Sequence, residues 1–369
     1  MRESGMGWQD WRVRPTSAEI DLAAVRANVA ALAALVAPSR LRAVVKADGY
    51  GHGDVPVAEA ALEAGAATLA VALVEEGVRL REAGIEAPIL VLSEPELADI
   101  ADIVHWDLTP TAYRRDFLEQ LAKLAAGPLD VHVKIDTGMH RVGAPVGALG
   151  DLLDAILPPL RLGAVWTHLA VADEDPEFTA TQIERFDEAV AGIETSCHLA
   201  NTAGAVLFPT ARGDEVRAGL GIYGLHPCPE TRNRVELIPA MRFVSQVSYL
   251  QRLPAGSRPS YGRRRALPDP STVATVPVGY ADGVPRRLSA TGGGVLIRGK
   301  RYPLAGTVTM DQIVVDVGDD EVAVGDEVVL FGRQGDSEIG ADDWADRLDT
   351  ISYEIVCGVG PRVPRRYLG

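Results

Sequence analysis

The chain has 369 residues, of which 47% are hydrophobic and 24% charged. That is the balance of an ordinary soluble globular protein, long enough for two domains. A net charge of −15 argues against nucleic acid as a partner, because phosphate contacts need clustered cations. The longest basic run, Arg263-Arg264-Arg265, reads as a solvated loop. Cys197, Cys228 and Cys357 are odd in number and lack metal-ligand spacing. They favour a reducing compartment and support neither a disulfide framework nor a metal site.

In chain order, residues 1–16 read as a loose leader, with no continuous apolar core of the kind a secretory signal needs. The apolar run over residues 22–36 is interrupted by Arg26 and Asn28, so no segment qualifies as membrane-spanning. The expected location is the cytoplasm, with no membrane partner. Over residues 17–240, strand patterns alternate with helical ones. The strand candidates are residues 41–46, 68–73, 88–92, 103–108, 130–136, 162–168, 196–200 and 215–219. Helical spacing falls between them, as over residues 55–64, 75–83, 115–125 and 179–193. Eight βα units of this length predict a closed (β/α)8 barrel of the TIM type, with an open doubly wound sheet as the competitor. Residues 241–369 change texture. Valine-rich runs at 243–250, 272–278, 312–317 and 327–331 are separated by Gly, Pro and Asp, which predicts a smaller, mainly β domain.

The stretch Ala43-Val44-Val45-Lys46-Ala47-Asp48-Gly49-Tyr50-Gly51-His52-Gly53 ends an apolar run in one lysine followed by glycines. At the carboxyl end of a barrel strand such a lysine sits where these folds place their chemistry. Near apolar walls its amine can lose a proton and form a Schiff base; otherwise it is a surface lysine ending a strand. Other polar residues follow the later strands: Lys134, Asp136 and Arg141, then His168, then Asn201 and Thr202, then Arg217 and Gly219. A barrel brings all of them to one mouth. The loops after strands seven and eight offer Asn201-Thr202-Ala203-Gly204 and Gly219-Leu220-Gly221 as a phosphate cradle. Lysine plus phosphate cradle is a combination that pyridoxal phosphate would satisfy.

The motif around Lys46 resembles the cofactor-lysine motif of the bacterial alanine racemases. The resemblance continues through residues 134–143, Trp166-Thr167-His168, residues 198–202 and residues 216–219. In the second domain it runs through Pro259-Ser260-Tyr261-Gly262, residues 278–283, Thr309-Met310-Asp311-Gln312 and Ile351-Ser352-Tyr353-Glu354. It covers nearly everything from Ala18 to the end.

That resemblance implies pyridoxal-phosphate-dependent, two-base interconversion of L- and D-alanine in a homodimer with shared active sites, supplying D-alanine for peptidoglycan. Lys46 would carry the cofactor and serve one face of the substrate Cα, and Tyr261 of the partner subunit the other. Two groups on opposite faces exchange the proton without rotating the substrate. Both titrate near pH 10 when free, so both must be shifted to act as bases near neutrality. His168 and Arg217 are the implied cationic neighbours of Tyr261. The resemblance sets Arg217 against the cofactor's ring nitrogen, and a permanent cation there weakens the electron sink. Arg141 would flank the phenolic oxygen and, with Met310 of the partner subunit, the substrate carboxylate. Tyr50, Thr202, Gly219, Leu220 and Tyr353 match phosphate positions, and His168 and Asn201 complete the cofactor surroundings. Tyr280 of the partner subunit would line the entrance and restrict side-chain size. The lysine matching Lys134 is carbamylated in many members. Thr202, Thr307 and Thr309 stand where serine, arginine and cysteine are common, and the last two predict a more polar rim. The alternatives are a serine or broad small amino-acid racemase of the same fold, a non-catalytic cofactor carrier, and a barrel decarboxylase or aldolase. The second domain with Tyr261 disfavours the carrier, and Arg217 disfavours the decarboxylase.

Overall fold

The computed structural model describes residues 14–369, so most of the expected leader lies outside the described residues. Two compact units form, one from residues 21–240 and one from residues 241–368 with the described residues before 21.

The first strand, β1 (Ser17–Asp21), pairs antiparallel with residues 241–244, Ser17 opposite Val244 and Ile20 opposite Met241. Residues 17–20, expected at the start of the barrel, therefore belong to the sheet of the other unit. Residues 14–16, expected within the leader, are held there too. Arg14 donates to both carboxylate oxygens of the fully buried Asp282, at 2.9 and 2.8 Å. A five-residue alternation is too short to reveal in sequence which sheet it joins.

The larger unit holds β2 (Arg40–Val44), β3 (Thr68–Val71), β4 (Ile89–Val91), β5 (Thr109–Ala112) and β6 (Leu129–Asp136). A two-residue β7 (Ala144–Pro145) pairs beside β6, and β8 (Leu160–Trp166), β9 (Ser196–His198) and β10 (Glu215–Ala218) follow. They run in the order β10-β2-β3-β4-β5-β6-β8-β9, and the main pairs are parallel. The Arg217 N–H reaches the Ala200 carbonyl at 3.0 Å, drawing β10 toward the end of β9 and nearly closing the barrel. Val131, Val133 and Ile135 are fully buried on one face of β6 and His132 and Lys134 nearly so on the other, as expected of strands covered on both sides. Outer helices carry local start signals. Asp21 caps the helix Leu22–Val36 through Ala24 N–H, and Asp175 with Pro176 opens Pro176–Val190. No helix among the described residues is long and apolar enough to cross a membrane.

One strand falls elsewhere than expected. Residues 100–105 form a helix that buries Ile100 and Ile103 one turn apart, and the strand follows at β5. Pro110 within β5, in register with Val91, is a residue that argues against a central strand when only sequence is read.

The smaller unit adds β11 (Met241–Gln246), β12 (Tyr249–Leu253), β13 (Ser271–Val276), β14 (Gly294–Ile297) and β15 (Lys300–Pro303). Then come β16 (Ile313–Gly318), β17 (Glu327–Gln334), β18 (Ser337–Ile339) and β19 (Arg365–Leu368). One sheet runs β15-β14-β17-β11-β1-β19 with β18 beside β17, and another β12-β13-β16. Phe331 packs edge-on against Phe243 and Trp344, with ring centroids 5.6 and 5.3 Å away.

Candidate active site

Lys46 follows β2 on a backbone that sequence rules would not choose. Ala47, Asp48, Gly49 and Tyr50 have φ of 54, 52, 58 and 52°, a left-handed turn in which each non-glycine residue costs about 1–2 kcal/mol. Such a turn persists only where its surroundings over-determine it. Here the buried carboxylate of Glu76 accepts from Ala47 N–H at 2.6 Å, and from Ala72 and Leu73 N–H at 2.8 and 3.1 Å. From the other side, the buried His52 donates Nδ1–H toward the carbonyls of Gly49 and Tyr50, 3.1 and 3.0 Å away. The turn delivers the Tyr50 hydroxyl to Gly219, where a Cβ would stand 2.5 Å from it.

Among the described residues, Arg217, on β10 and 3% exposed, hydrogen-bonds only to neutral acceptors. Nη1 donates to His198 Nδ1 at 2.7 Å and to the His198 carbonyl at 2.9 Å. Nη2 donates to the Thr167 and Leu199 carbonyls at 2.8 and 2.7 Å and to His168 Nδ1 at 3.2 Å. Burial, then Arg42, lowers its pKa to about 9, which leaves a cation at neutral pH. Because a guanidinium only donates, both histidines must accept at Nδ1 and carry hydrogen on Nε2. His198 then donates Nε2–H to His132 Nδ1 at 2.9 Å. Burial, followed by Arg217, holds His168 well below the usual histidine range. His168, expected as a cationic neighbour for Tyr261, is therefore neutral, and Arg217 carries the charge.

Trp166 ties Arg217 to the next cation. Its ring lies 4.6 Å from the Arg217 guanidinium carbon and 4.5 Å from Lys134 Nζ. Burial, then Arg217 and Arg141, brings the Lys134 amine down to about 7. Arg141 itself is exposed. Asp136 accepts the N–H groups of Gly138, Met139 and His140 at 2.9, 2.9 and 3.1 Å, shaping the loop that carries Arg141. At the ends of β9 and β10, Asn201 caps the helix Thr202–Leu207 through Gly204 N–H at 2.9 Å. The Thr202 hydroxyl oxygen accepts from Gly219 and Gly221 N–H at 3.1 and 3.4 Å, and Leu220 is buried beside them. Lys46, Tyr50, Lys134, His168, Asn201, Thr202, Arg217, Gly219 and Leu220 thus gather at the strand ends expected. Among the described residues no group of three His, Cys, Asp or Glu side chains could hold a metal.

The smaller unit gathers its own set. Tyr261, Tyr280 and Met310 are exposed by 72, 41 and 51%, and one segment carries them. Thr307 Oγ1 donates to the Tyr261 carbonyl at 2.8 Å, Tyr280 N–H to the Thr309 carbonyl at 3.0 Å, and Ala281 N–H to the Met310 carbonyl at 3.1 Å. A cavity of about 380 Å³ beside Tyr280 is lined also by Arg287, Leu348, Thr350, Glu354 and Ile355. Tyr353 sits half-buried on the helix Ser352–Cys357. Of the two threonines expected to make the rim polar, Thr307 is buried and Thr309 is half-exposed. Thr307 is 5% exposed, and the Thr309 hydroxyl bonds the Gln312 carbonyl at 2.8 Å.

Residues 20–227 match the family model for the alanine racemase N-terminal domain, and residues 240–367 that for the C-terminal domain. The chain belongs to the alanine racemase family. It is an isomerase, and its reaction is alanine racemisation. It is 48% identical to the alanine racemase of Symbiobacterium thermophilum, over 97% of this chain and 98% of that one. The Nostoc enzyme is 42% identical, over 96% of each. The alanine racemase structure from Streptomyces lavendulae superposes with a TM-score of 0.90 at 38% identity, over 96% of this chain and 97% of that one. The Bacillus anthracis alanine racemase with bound L-Ala-P gives 0.90 at 36%, over 96 and 95%.

Four buried residues of the site went unassigned in the sequence. His132 could have been found, since His132, Lys134 and Asp136 alternate along β6 and so share one face. His198 and Trp166 stood inside quoted motifs without a role. Glu76 gave no signal, because its work is done on backbone N–H groups.

Proposed function

We propose that this enzyme racemises alanine with pyridoxal phosphate and two bases, Lys46 and Tyr261. The observation that carries the reading is Arg217: a buried cation with five neutral acceptors and, among the described residues, no carboxylate, at the same strand ends as Lys46. The residues present fit the cofactor. The Thr202 hydroxyl meets the N–H groups of Gly219 and Gly221 at 3.1 and 3.4 Å. The Tyr50 hydroxyl comes so close to Gly219 that a Cβ there would stand 2.5 Å from it, so hydroxyls and backbone N–H groups of the kind a phosphate needs are gathered at one place. Lys46 would hold it covalently, Tyr50, Thr202, Gly219, Leu220 and Tyr353 its phosphate, and Arg217 its ring nitrogen. Arg141, His168 and Asn201 would complete the cofactor surroundings. Bound there, pyridoxal phosphate supplies the electron sink that acidifies the substrate Cα–H.

The protein's own part is proton handling. The Lys46 amine would exchange the proton at one face of Cα, and the phenolic oxygen of Tyr261 of the partner subunit at the other. Arg141, with Met310 of the partner subunit, would hold the carboxylate, and Tyr280 of the partner subunit would limit side-chain size. Neutral His168 would donate its Nε2–H, stabilising a phenolate without adding charge. The reading includes a homodimer, a barrel domain over residues 21–240, and a cytoplasmic role supplying D-alanine for peptidoglycan. The L-Ala-P bound by the Bacillus anthracis relative supports alanine as substrate. The test is racemisation of each alanine enantiomer in deuterated water. Deuterium entering Cα in step with loss of optical rotation is expected, and neither occurring would overturn the reading.

A further inference from the structure

Tyr261 stands on a turn that has to be held in place. Ser260, Gly262 and Arg263 have φ of 66, 72 and 45°, and two of the three are residues that rarely adopt the left-handed region. Among the described residues no hydrogen bond reaches the phenolic oxygen, and the side chain is 72% exposed. Within the described residues, the point from which the phenol extends is set by its main chain.

That main chain is gripped from behind. The Thr307 hydroxyl, on a residue 5% exposed, donates to the Tyr261 carbonyl at 2.8 Å. In return the Ser260 hydroxyl donates to the Thr307 carbonyl at 2.6 Å. Gly306 permits the approach, since a Cβ there would stand 2.4 Å from the Pro259 carbonyl oxygen. The gripping segment is itself anchored: Ala305 N–H bonds the Val314 carbonyl at 2.8 Å, and Ala305 packs in the core with Leu267 and Val273. A valine at position 307 would keep the shape and lose the bond.

We propose that Ser260 and Thr307 form a two-way clamp that fixes the backbone bearing Tyr261, making Thr307 a positioning residue for the second base. The inference rests on Tyr261 acting as that base. A proton-transfer group misplaced by a fraction of an ångström loses rate while substrate binding is kept. Because Tyr261 would serve one face of Cα only, loosening it slows one of the two proton transfers.

The test uses holoenzyme and alanine deuterated at Cα, each enantiomer in turn. Thr307→Val should lower kcat roughly tenfold, the loss of about one hydrogen bond, with KM little changed. The isotope effect should rise for one enantiomer and not for the other. Amide exchange across residues 258–264 should quicken, and Thr307→Ser should restore both readouts. Ser260→Ala, which cuts the return bond at a half-buried site, should give the same one-sided change if Thr307→Val does not fold. Unchanged isotope effects in whichever of the two variants folds would overturn the clamp. Tyr261→Phe separates the two ideas: full racemisation in that variant overturns the base assignment, and the clamp with it. An inactive Tyr261→Phe beside an unaffected Thr307→Val overturns the clamp alone.

Discussion

Arg217 Nη2 donates to His168 Nδ1 across 3.2 Å, and this one bond fixes what His168 can do. A histidine accepting at Nδ1 from a permanent cation keeps its hydrogen on Nε2 and resists a second proton. His198 and His132, buried on the same network, are likewise held well below the usual range by burial first and by neighbouring arginines second. In the unfolded chain all three would protonate near pH 6.5. Below that pH the unfolded state binds more protons, so stability falls as pH falls. The thermal midpoint should drop between about pH 7 and about pH 5, and replacing His132 by Gln should flatten the slope. A midpoint indifferent to pH over that range would contradict the neutral network.

Arg217→Glu replaces the cation facing the proposed ring nitrogen by an anion, which would favour protonation there and a stronger electron sink. Racemisation should fall, and amino-group transfer should appear as pyruvate released from alanine. A variant that folds, binds cofactor and releases no more pyruvate than the parent would refute this account of Arg217.

The candidate site residues legible in the sequence were those whose side chains are proposed to act: Lys46, Arg217 and Tyr261 each stand in a motif that carries the family resemblance. The barrel was legible because its strands are short apolar runs at regular spacing, except at β5, where Pro110 hid a strand that its pairing with β4 and β6 creates. What stayed hidden is held by backbone. Neither the left-handed run after Lys46 nor the turn at Ser260 is written in residue types, since Ala47, Asp48 and Ser260 favour other conformations. Charge state was hidden too. His168 looks like a cation in sequence and is held neutral by burial first and by Arg217 second.

Lys134 should form a carbamate. Burial, with Arg217 and Arg141 behind it, brings its amine to about 7, so about half is neutral at pH 7, against less than about 0.1% for a free lysine. A neutral amine can add carbon dioxide, and the product is an anion suited to the cations around it. With carbon-13 bicarbonate, a protein-bound carbamate signal should be strong near pH 8 and weak near pH 6. It should be missing from Lys134→Arg. A signal that persists in that variant would assign the carbamate elsewhere.

Glu76 offers the sharpest check on why the Lys46 turn survives. Its carboxylate bridges Ala47 N–H at 2.6 Å to Ala72 and Leu73 N–H at 2.8 and 3.1 Å, tying the strained turn after β2 to the loop after β3. Gln has one acceptor oxygen for these three donors, and its NH2 would face one of them. Glu76→Gln should therefore cost about 1–3 kcal/mol, the penalty of a buried donor left without an acceptor. The loss should be local before it is global. Amide exchange should quicken at residues 47–53 while the strands of the smaller unit keep their protection. Pyridoxal phosphate should also bind the apoenzyme more weakly, because Tyr50 reaches Gly219 only through this turn. Glu76→Asp, a carboxylate shorter by one methylene, should recover the bonds to Ala72 and Leu73 on the neighbouring loop more readily than the bond to Ala47 across from it. It would then separate holding the loop from holding the lysine. Exchange at residues 47–53 unchanged in Glu76→Gln would show that the turn is kept without Glu76, by His52 and its own backbone bonds.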